Sequence, residues 1–176
     1  MPSSNDALCP DWVFLNNSNV HVAKDRDWFT TYTPFASLLG SLYTNESSKV
    51  LGIGTAKIPV RATPKSTVTT YLELKNVLHV PGAGCNVIGQ PIFENGNVAH
   101  VCCEDDSMGS IVNSNREQLA YFHPDRPLFV LAAEAPEGKQ LGRAVVVKGA
   151  CWSLPSSYWD RKEVKRWEDF SKAQLT

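Results

Sequence analysis

Short alternations of apolar and polar residues run along most of the chain and predict β-strands. Residues 50–60 alternate and carry two glycines, and residues 67–80 hold regularly spaced apolar positions with a break near Lys75-Asn76. Gly, Pro, Asn, Asp and Ser fill the intervening segments, as tight connections require. Because a parallel sheet would need helical crossovers, this pattern favours a sandwich or a barrel. Further strands are predicted at residues 12–15, 98–103, 110–113, 118–122, 128–132 and 141–147.

The C-terminal tail has a different pattern and predicts a helix. Ser157 and Asp160 have the spacing of a capping box, and Lys165 and Asp169 form a possible i,i+4 ion pair. Two interpretations stay open: the helix packs on the body, or it binds a partner or swaps between the subunits of a dimer. Its narrow apolar face consists of Val164, Trp167 and Ser171. A second, short helix is expected at residues 91–95.

Composition and charge exclude several classes of protein. The 176 residues are 43% apolar and 20% charged, which is typical of one globular domain with a real core. A net charge of −1 does not favour a nucleic-acid or membrane-surface partner, and no apolar run is long enough to cross a bilayer. The five cysteines are odd in number and lack metal-ligand spacing, so we expect free thiols in an intracellular, cytoplasmic protein with no metal and no cofactor.

Four short motifs follow one another in an informative order. The motifs are a Trp-led strand running from Trp12 through His21 to Trp28-Phe29, the segment Gly52-Ile53-Gly54-Thr55, the segment Leu74-Lys75-Asn76-Val77-Leu78-His79-Val80-Pro81-Gly82, and the turn Cys85-Asn86-Val87-Ile88-Gly89-Gln90. The first three, in this order, are similar to the protease region of copia-type retrotransposon polyproteins. The fourth resembles the turn beneath the active site of retroviral proteases, where only glycine lets two backbones approach so closely.

The resemblance implies a fold and an assembly. The fold is an all-β, closed, acid-protease-like (retropepsin-like) barrel with one short helix and a C-terminal helical tail. Residues 12–135 would form the barrel, after a flexible N-terminus at residues 1–11. Residues 136–176 lie outside the resemblance and would add one strand and a helix packed on the barrel. The family also implies a homodimer, although the added tail could cover the dimer edge instead.

The resemblance also locates the catalytic loop, and this chain lacks its chemistry. Aspartic proteolysis needs two carboxylates that share one proton, one from each subunit in retroviral-type enzymes. Aligning on Trp12 and His21 puts Leu15, Asn16 and Asn17 where the family has Asp-Ser/Thr-Gly. No Asp or Glu occurs between Trp12 and Lys24, and asparagine cannot exchange a proton near neutral pH. We therefore expect no catalytic residue and no proteolysis.

A groove beside this loop is the predicted binding site. Asn17, in the place of the glycine, is expected to tolerate a left-handed backbone. A serine-type set of Ser18, His21 and Asp25 is disfavoured, because closeness in sequence is no evidence for the required geometry. His79, His100 and His123 show no ligand spacing. The candidate groove residues are Asn16, Asn17, Ser18, His21, Gly52, Gly54 and Gly89.

Three functions remain open at the level of sequence. The first is a transposon-derived, non-catalytic module for binding or dimerisation, with a peptide or a small apolar ligand in the groove. The second is a non-proteolytic enzyme of the lyase, isomerase or cyclase type, which can act largely by shape and hydrogen bonding. The third is an orphan domain without a function of its own. A closed apolar pocket near Asn16, Asn17 and His21 would favour the second function, and an open groove the first.

Overall fold

The computed structural model describes residues 7–42, 44–94, 96–101, 106–150 and 157–175. These residues form twelve strands, two 3-10 helices and one α-helix, joined by turns and loops. The strands are β1 (Ala7–Leu8), β2 (Trp12–Phe14), β3 (Val22–Ala23), β4 (Phe29–Ser41), β5 (Ser47–Arg61), β6 (Thr69–His79), β7 (Asn86–Ile88), β8 (Val98–Val101), β9 (Gly109–Val112), β10 (Gln118–Tyr121), β11 (Gln140–Leu141) and β12 (Ser157–Tyr158). The 3-10 helices are Arg26–Trp28 and Gln90–Phe93, and α1 is Arg161–Ala173.

A seven-stranded sheet with the order β12-β4-β5-β6-β3-β7-β2 organises the molecule. Strands β4, β5 and β6 form an antiparallel meander, and the short strands β3, β7 and β2 extend it with parallel β3–β6 and β2–β7 pairs. A three-stranded sheet, β10-β9-β8, forms a separate hydrogen-bonded unit. The prediction of a mostly β protein with a C-terminal helix is confirmed. Hydrogen bonds between the described strands leave the large sheet open at β12 and β2, so they do not close it into a barrel.

The large sheet has an apolar cluster on each face. One cluster includes Trp12, Ile58 and Leu74 of the large sheet with Ile111 and Ala120 of the small one. The second lies on the side of α1 and is formed by buried residues from both halves of the sheet and from the tail. Its members are Val20, Val22, Phe35, Leu39, Val50, Ile53, Leu78, Val80, Ala83, Val87 and Trp159. Trp159 is 3% exposed, so the C-terminal segment contributes this side chain to the core, whereas α1 itself has no buried residue.

The strand predictions hold for β5 and β6 and miss β4. Strands β5 and β6 lie where the alternation predicts them, and the expected break at Lys75-Asn76 is an irregularity within β6, where Asn76 has φ +53°. The long β4 was not predicted, because Pro34 interrupts it and its buried positions do not follow polarity: Ser37 is buried and Leu38 is exposed. Residues 128–132 form isolated bridges rather than a strand, and residues 141–147 contribute only the end of β11.

Helix α1 begins later than the predicted capping box. Ser157 belongs to β12, and the Asp160 side chain caps the helix by accepting the backbone N–H of Lys162 at 2.8 Å. The predicted role of Ser157 is therefore wrong, because the strand continues past it. The predicted Lys165–Asp169 pair is present, with its charged atoms 3.6 Å apart.

The first described residues are joined to the body. Strand β1 pairs in parallel with β11, and Leu8 is buried. The Asp11 carboxylate accepts the backbone N–H groups of Val145 and Val146 at 2.6 and 2.8 Å. The segment predicted as a flexible N-terminus thus includes core residues from Leu8 onward, and residues 1–6 lie outside the described part of the chain.

Replacing Gly54 by alanine should destabilise the fold. A Cβ at Gly54 would lie 2.0 Å from the Thr31 carbonyl oxygen of β4, which is backbone and cannot rotate away. We expect the free energy of unfolding to fall by about 3 kcal/mol, as for severe overpacking. Gly82→Ala is the matched control, since a Cβ at Gly82 would have no neighbour within 4 Å. Urea unfolding of both variants measures the difference, and equal stabilities would contradict the assigned packing.

Candidate functional site

The turn after β2 stands where the resemblance locates the catalytic loop. The backbone N–H of Leu15 donates to the Ile88 carbonyl at 3.0 Å, and that of Ser18 donates to the Leu15 carbonyl at 3.3 Å. Asn16 and Asn17 are exposed at its tip. Among the described non-glycine residues, positive φ values occur at Asn76 and Arg116 and not at Asn17. The left-handed backbone expected at Asn17 is therefore wrong, because this turn closes without it.

Gly89 passes directly beneath the loop that follows this turn. A Cβ at Gly89 would lie 2.3 Å from the Val20 carbonyl oxygen and 2.7 Å from that of Ser18. The next backbone N–H, of Gln90, donates to the Ser18 carbonyl at 2.8 Å. No side chain fits in this space, so glycine is required by the close approach of the two backbones.

His21 is held under the loop in one protonation state. Its side chain is buried, and its Nδ1 accepts the Gly89 N–H at 3.0 Å. Burial lowers the pKa of His21 to about 4. The imidazole is therefore neutral at physiological pH, and Nε2 carries its hydrogen because Nδ1 is an acceptor.

Ser18, His21 and Asp25 do not form a nucleophilic set. The Ser18 hydroxyl lies 2.8 Å from the Val20 carbonyl and 3.2 Å from the Ser157 carbonyl, and donates to these rather than to His21. The Asp25 carboxylate accepts the Cys9 N–H at 2.7 Å. Each group therefore has a structural partner, and none is arranged to activate the hydroxyl.

The other predicted glycines adjoin strand β4 instead. A Cβ at Gly52 would lie 2.2 Å from the Tyr32 ring, so the missing side chain makes room for that ring. The Tyr32 hydroxyl is 2.9 Å from His79 Nδ1, and the Arg26 guanidinium lies 4.0 Å from the ring centre. Burial raises the pKa of Tyr32 and lowers that of His79, so this is a bond between neutral partners. The structure brings Ser18, His21 and Gly89 together and leaves Gly52 and Gly54 with β4.

The C-terminal segment lies against the same loop. The Asn19 side chain donates to the Trp159 carbonyl and accepts the Trp159 N–H, both at 2.8 Å. The Trp159 indole N–H donates to Ser37 Oγ at 3.0 Å. In addition, Tyr158 of β12 pairs antiparallel with Gly40 of β4. Sequence reasoning missed Asn19, Ser37 and Trp159, and no local pattern marks contacts between residues more than 120 positions apart.

A cleft of about 380 Å³ opens between the loop, β6 and α1. We call it the α1 cleft. Polar and charged side chains border it together with apolar ones, so it is not the closed apolar pocket typical of a small-molecule enzyme. It is lined by residues 19–21, by residues 73–76, by Pro91, Ile92, Glu94 and Asn97, and by Trp159, Val164, Trp167, Glu168 and Ser171.

Two further observations bear on the expectations from sequence. Within the described residues, no three His, Cys, Asp or Glu side chains are grouped as they would be around a metal ion. No helix in the described ranges combines the length and apolarity needed to cross a membrane.

Comparison with known proteins gives one match. Residues 12–97, from β2 to just beyond the second 3-10 helix, match the family model described as Pol polyprotein, beta-barrel domain, a domain of retrotransposon polyproteins. No curated protein and no solved structure is significantly similar to the chain. The matched segment contains the Leu15–Asn17 turn, His21 and Gly89, and it ends before the C-terminal segment that packs on them.

His21 should make stability depend on pH. Its folded pKa of about 4 lies below the ordinary 6.5, so as pH falls through 6.5 the unfolded chain binds this proton first. Stability is therefore full above 6.5, decreases down to about pH 4 and then levels off, a loss of about 3 kcal/mol.

The measurement is urea unfolding at about pH 7 and about pH 4.5. His21→Asn removes the titrating group while keeping an acceptor for the Gly89 N–H, so it should lose less stability than the wild type over this interval. His100→Asn, at an exposed position of β8, is the control and should behave as the wild type. An unchanged pH dependence in His21→Asn would contradict the assignment.

Proposed function

We propose that this chain, whose residues 12–97 are similar to the retrotransposon Pol polyprotein beta-barrel domain, is a proteolytically inactive, protease-like domain that acts as a peptide-binding module. One observation carries the proposal. The loop beside the former catalytic turn holds the chain's own C-terminal segment through contacts to its backbone, as a binding site holds an extended peptide. The proposal includes a relationship to retropepsins, the family whose fold is a closed barrel.

The loss of proteolysis follows from where the carboxylates lie. The turn itself presents Leu15, Asn16 and Asn17, and the acids on either side of it in sequence are already engaged. Asp11 is 1% exposed, accepts two backbone N–H groups and lies 3.7 Å from the Arg126 guanidinium. Asp25 accepts the Cys9 N–H. A carboxylate pair that shares one proton cannot form from these groups at the turn.

The contacts to the C-terminal segment suit recognition of a peptide backbone. A primary amide both donates and accepts, so the Asn19 side chain pairs with the N–H and the carbonyl of a single residue, whatever its side chain. Just before Trp159, the two residues of β12 extend the large sheet by pairing with β4. Strand addition of this kind obtains affinity from the main chain and selectivity from side-chain pockets. Here the selective side chain is Trp159, which is buried in the cluster around Phe35 and Val50.

An ionic contact fixes the segment beyond Trp159. The Glu163 carboxylate accepts a hydrogen bond from Ser37, and Arg166 binds the same carboxylate at 2.6 Å. Arg166 also donates to the Ala36 carbonyl at 2.5 Å, and its guanidinium lies 4.3 Å from the centre of the Phe35 ring. The hydrogen bonds from Arg166 and Ser37 lower the pKa of Glu163. Docking therefore favours ionised Glu163 and weakens as acidic pH protonates it.

The open, partly charged α1 cleft favours binding over the alternative of a lyase-, isomerase- or cyclase-type enzyme.

A homodimer remains part of the proposal, and the exposed Leu38, Leu42 and Leu51 near the end of the β4–β5 hairpin offer apolar surface for it. The proposed location is intracellular, in agreement with the free thiols of Cys9 and Cys85.

The purified chain should cleave no peptide. Without the carboxylate pair, general acid–base assistance worth roughly 100- to 10,000-fold per group is absent. The measurement is cleavage of a mixed peptide library across acidic and neutral pH, analysed by mass spectrometry. Cleavage that an aspartic-protease inhibitor blocks would refute the proposal.

Asn19→Ala should loosen the C-terminal segment. The change removes both hydrogen bonds to the Trp159 backbone, worth about 1 kcal/mol each. Amide hydrogens of β12 and α1 should then exchange roughly ten times faster or more, while the sheet core keeps its protection. Asn17→Ala, two residues away and exposed, is the matched control.

A synthetic peptide of residues 155–176, added to Trp159→Ala and to the wild type, tests binding directly. Trp159→Ala loosens the chain's own segment and leaves Asn19, Ser37 and the β4 edge unchanged, so it should bind the peptide more readily than the wild type does. Unchanged exchange in Asn19→Ala, or no binding of the peptide to either protein, would contradict the proposed site.

A further inference from the structure

The α1 cleft contains a buried hydrogen-bond donor without a partner. His21 lines the cleft, is 2% exposed, and engages Nδ1 with the Gly89 N–H. Its Nε2–H makes no hydrogen bond to any of the described residues. Among the described residues, two side-chain nitrogen atoms are both shielded from solvent and without a hydrogen bond, the indole nitrogens of Trp12 and Trp28. Nε2 of His21 also lacks a partner but does not belong to this shielded group. The donor therefore faces the cleft and is open to a ligand atom.

The rim of the cleft is acidic. Three carboxylates border it, from Glu73 on β6, Glu94 after the second 3-10 helix and Glu168 on α1. The basic residue among the described lining residues is Lys75, which lies 4.0 Å from Glu73. The net charge around the opening is thus negative and favours the binding of a cation.

One wall of the cleft is aromatic and fixed in position. The Trp167 indole N–H donates to Asn76 Oδ1 at 3.3 Å, which ties α1 to β6 across the cleft. Indole rings attract ammonium and guanidinium groups as well as alkyl chains. The volume of about 380 Å³ is at the lower end for ligand sites, which suits a single side chain rather than a bulky cofactor.

We propose that the α1 cleft binds a basic residue, with its cationic group between Glu73, Glu94 and Glu168 and its carbonyl oxygen accepting the Nε2–H of His21. The residue is either a free basic amino acid or part of a peptide, since both present the same cation and carbonyl. This site is distinct from the β4 edge occupied by β12, but it needs α1 docked, because Trp167 and Glu168 come from that helix.

The test is a titration of the 176-residue chain with N-acetyl-arginine methylamide. Binding is monitored by the NMR chemical shift of the Trp167 indole N–H, whose signal is assigned with Trp167→Phe. Saturable binding is expected, with a dissociation constant in the millimolar range or lower, and it should weaken with added salt. The citrulline analogue, which is neutral and of nearly the same shape, should bind at least roughly tenfold more weakly. A parallel titration with free arginine distinguishes the two sources: tighter binding of the free form indicates an amino acid, and tighter binding of the capped form a peptide.

Variants locate the binding. Glu168→Gln alone should weaken it roughly two- to fivefold, and Glu73→Gln, Glu94→Gln and Glu168→Gln together more than tenfold. His21→Asn should weaken it roughly fivefold, because the shorter side chain places no donor where Nε2–H stands. Glu137→Gln, an exposed acid that does not line the cleft, should change nothing.

Two results would overturn the inference: no saturable shift with either arginine form, or equal binding of the citrulline analogue. Hydrogen exchange of α1 in the same sample shows whether the helix is docked. If it is docked and arginine does not bind, the basic-residue site fails while the peptide-binding function stands.

Discussion

The contact between Gly89 and the backbone of residues 18–20 is the constraint on which the rest of the site depends. A backbone that passes 2.3 Å from where a Cβ would stand admits glycine and nothing larger. That approach lets the Gly89 N–H reach His21 Nδ1 and fixes the direction of the ring, while burial keeps the imidazole neutral. It also holds the loop through Gln90, and the loop in turn presents Asn19 to the C-terminal segment. Ring orientation, loop shape and tail docking thus follow from one missing side chain.

The tail adds to this scaffold rather than merely covering it. Its strand β12 covers the edge of β4 at Gly40 and Ser41, which would otherwise present unpaired backbone groups to other chains. Trp159 completes an apolar cluster, and Ser37, Glu163 and Arg166 join the helix to β4 through polar contacts. The segment therefore combines core packing with hydrogen bonds at the rim, the mixture that characterises a specific but releasable interface.

The sequence was sufficient for features that depend on local pattern or on a short motif. Strands β5 and β6, the irregularity at Asn76 and the requirement for glycine at residue 89 could all be predicted, because a periodicity or a steric demand appears in a few neighbouring residues. Strand β4 could not, since the buried Ser37 and the exposed Leu38 remove the alternation of apolar and polar residues that burial would otherwise produce. The pairings of Asn19 with Trp159 and of Ser37 with Glu163 join residues 140 and 126 positions apart, so no window of sequence contains them. The cap was mispredicted at Ser157 because β12 includes this residue and the helix begins after Asp160. The left-handed backbone was mispredicted at Asn17 because the turn closes without a positive φ there.

The separation of 140 residues between Asn19 and Trp159 also has a kinetic meaning. Contacts this distant close late, because the chain must first lose the entropy of a long loop. During synthesis from the N-terminus, the β4–β5 hairpin is complete while the residues that protect its edge are still to be translated. For that interval the end of β4 at Gly40 and Ser41, with which β12 later pairs, is unpaired and has exposed leucines beside it. A chaperone, or a neighbouring nascent chain, can reach those backbone groups only before residue 157 emerges.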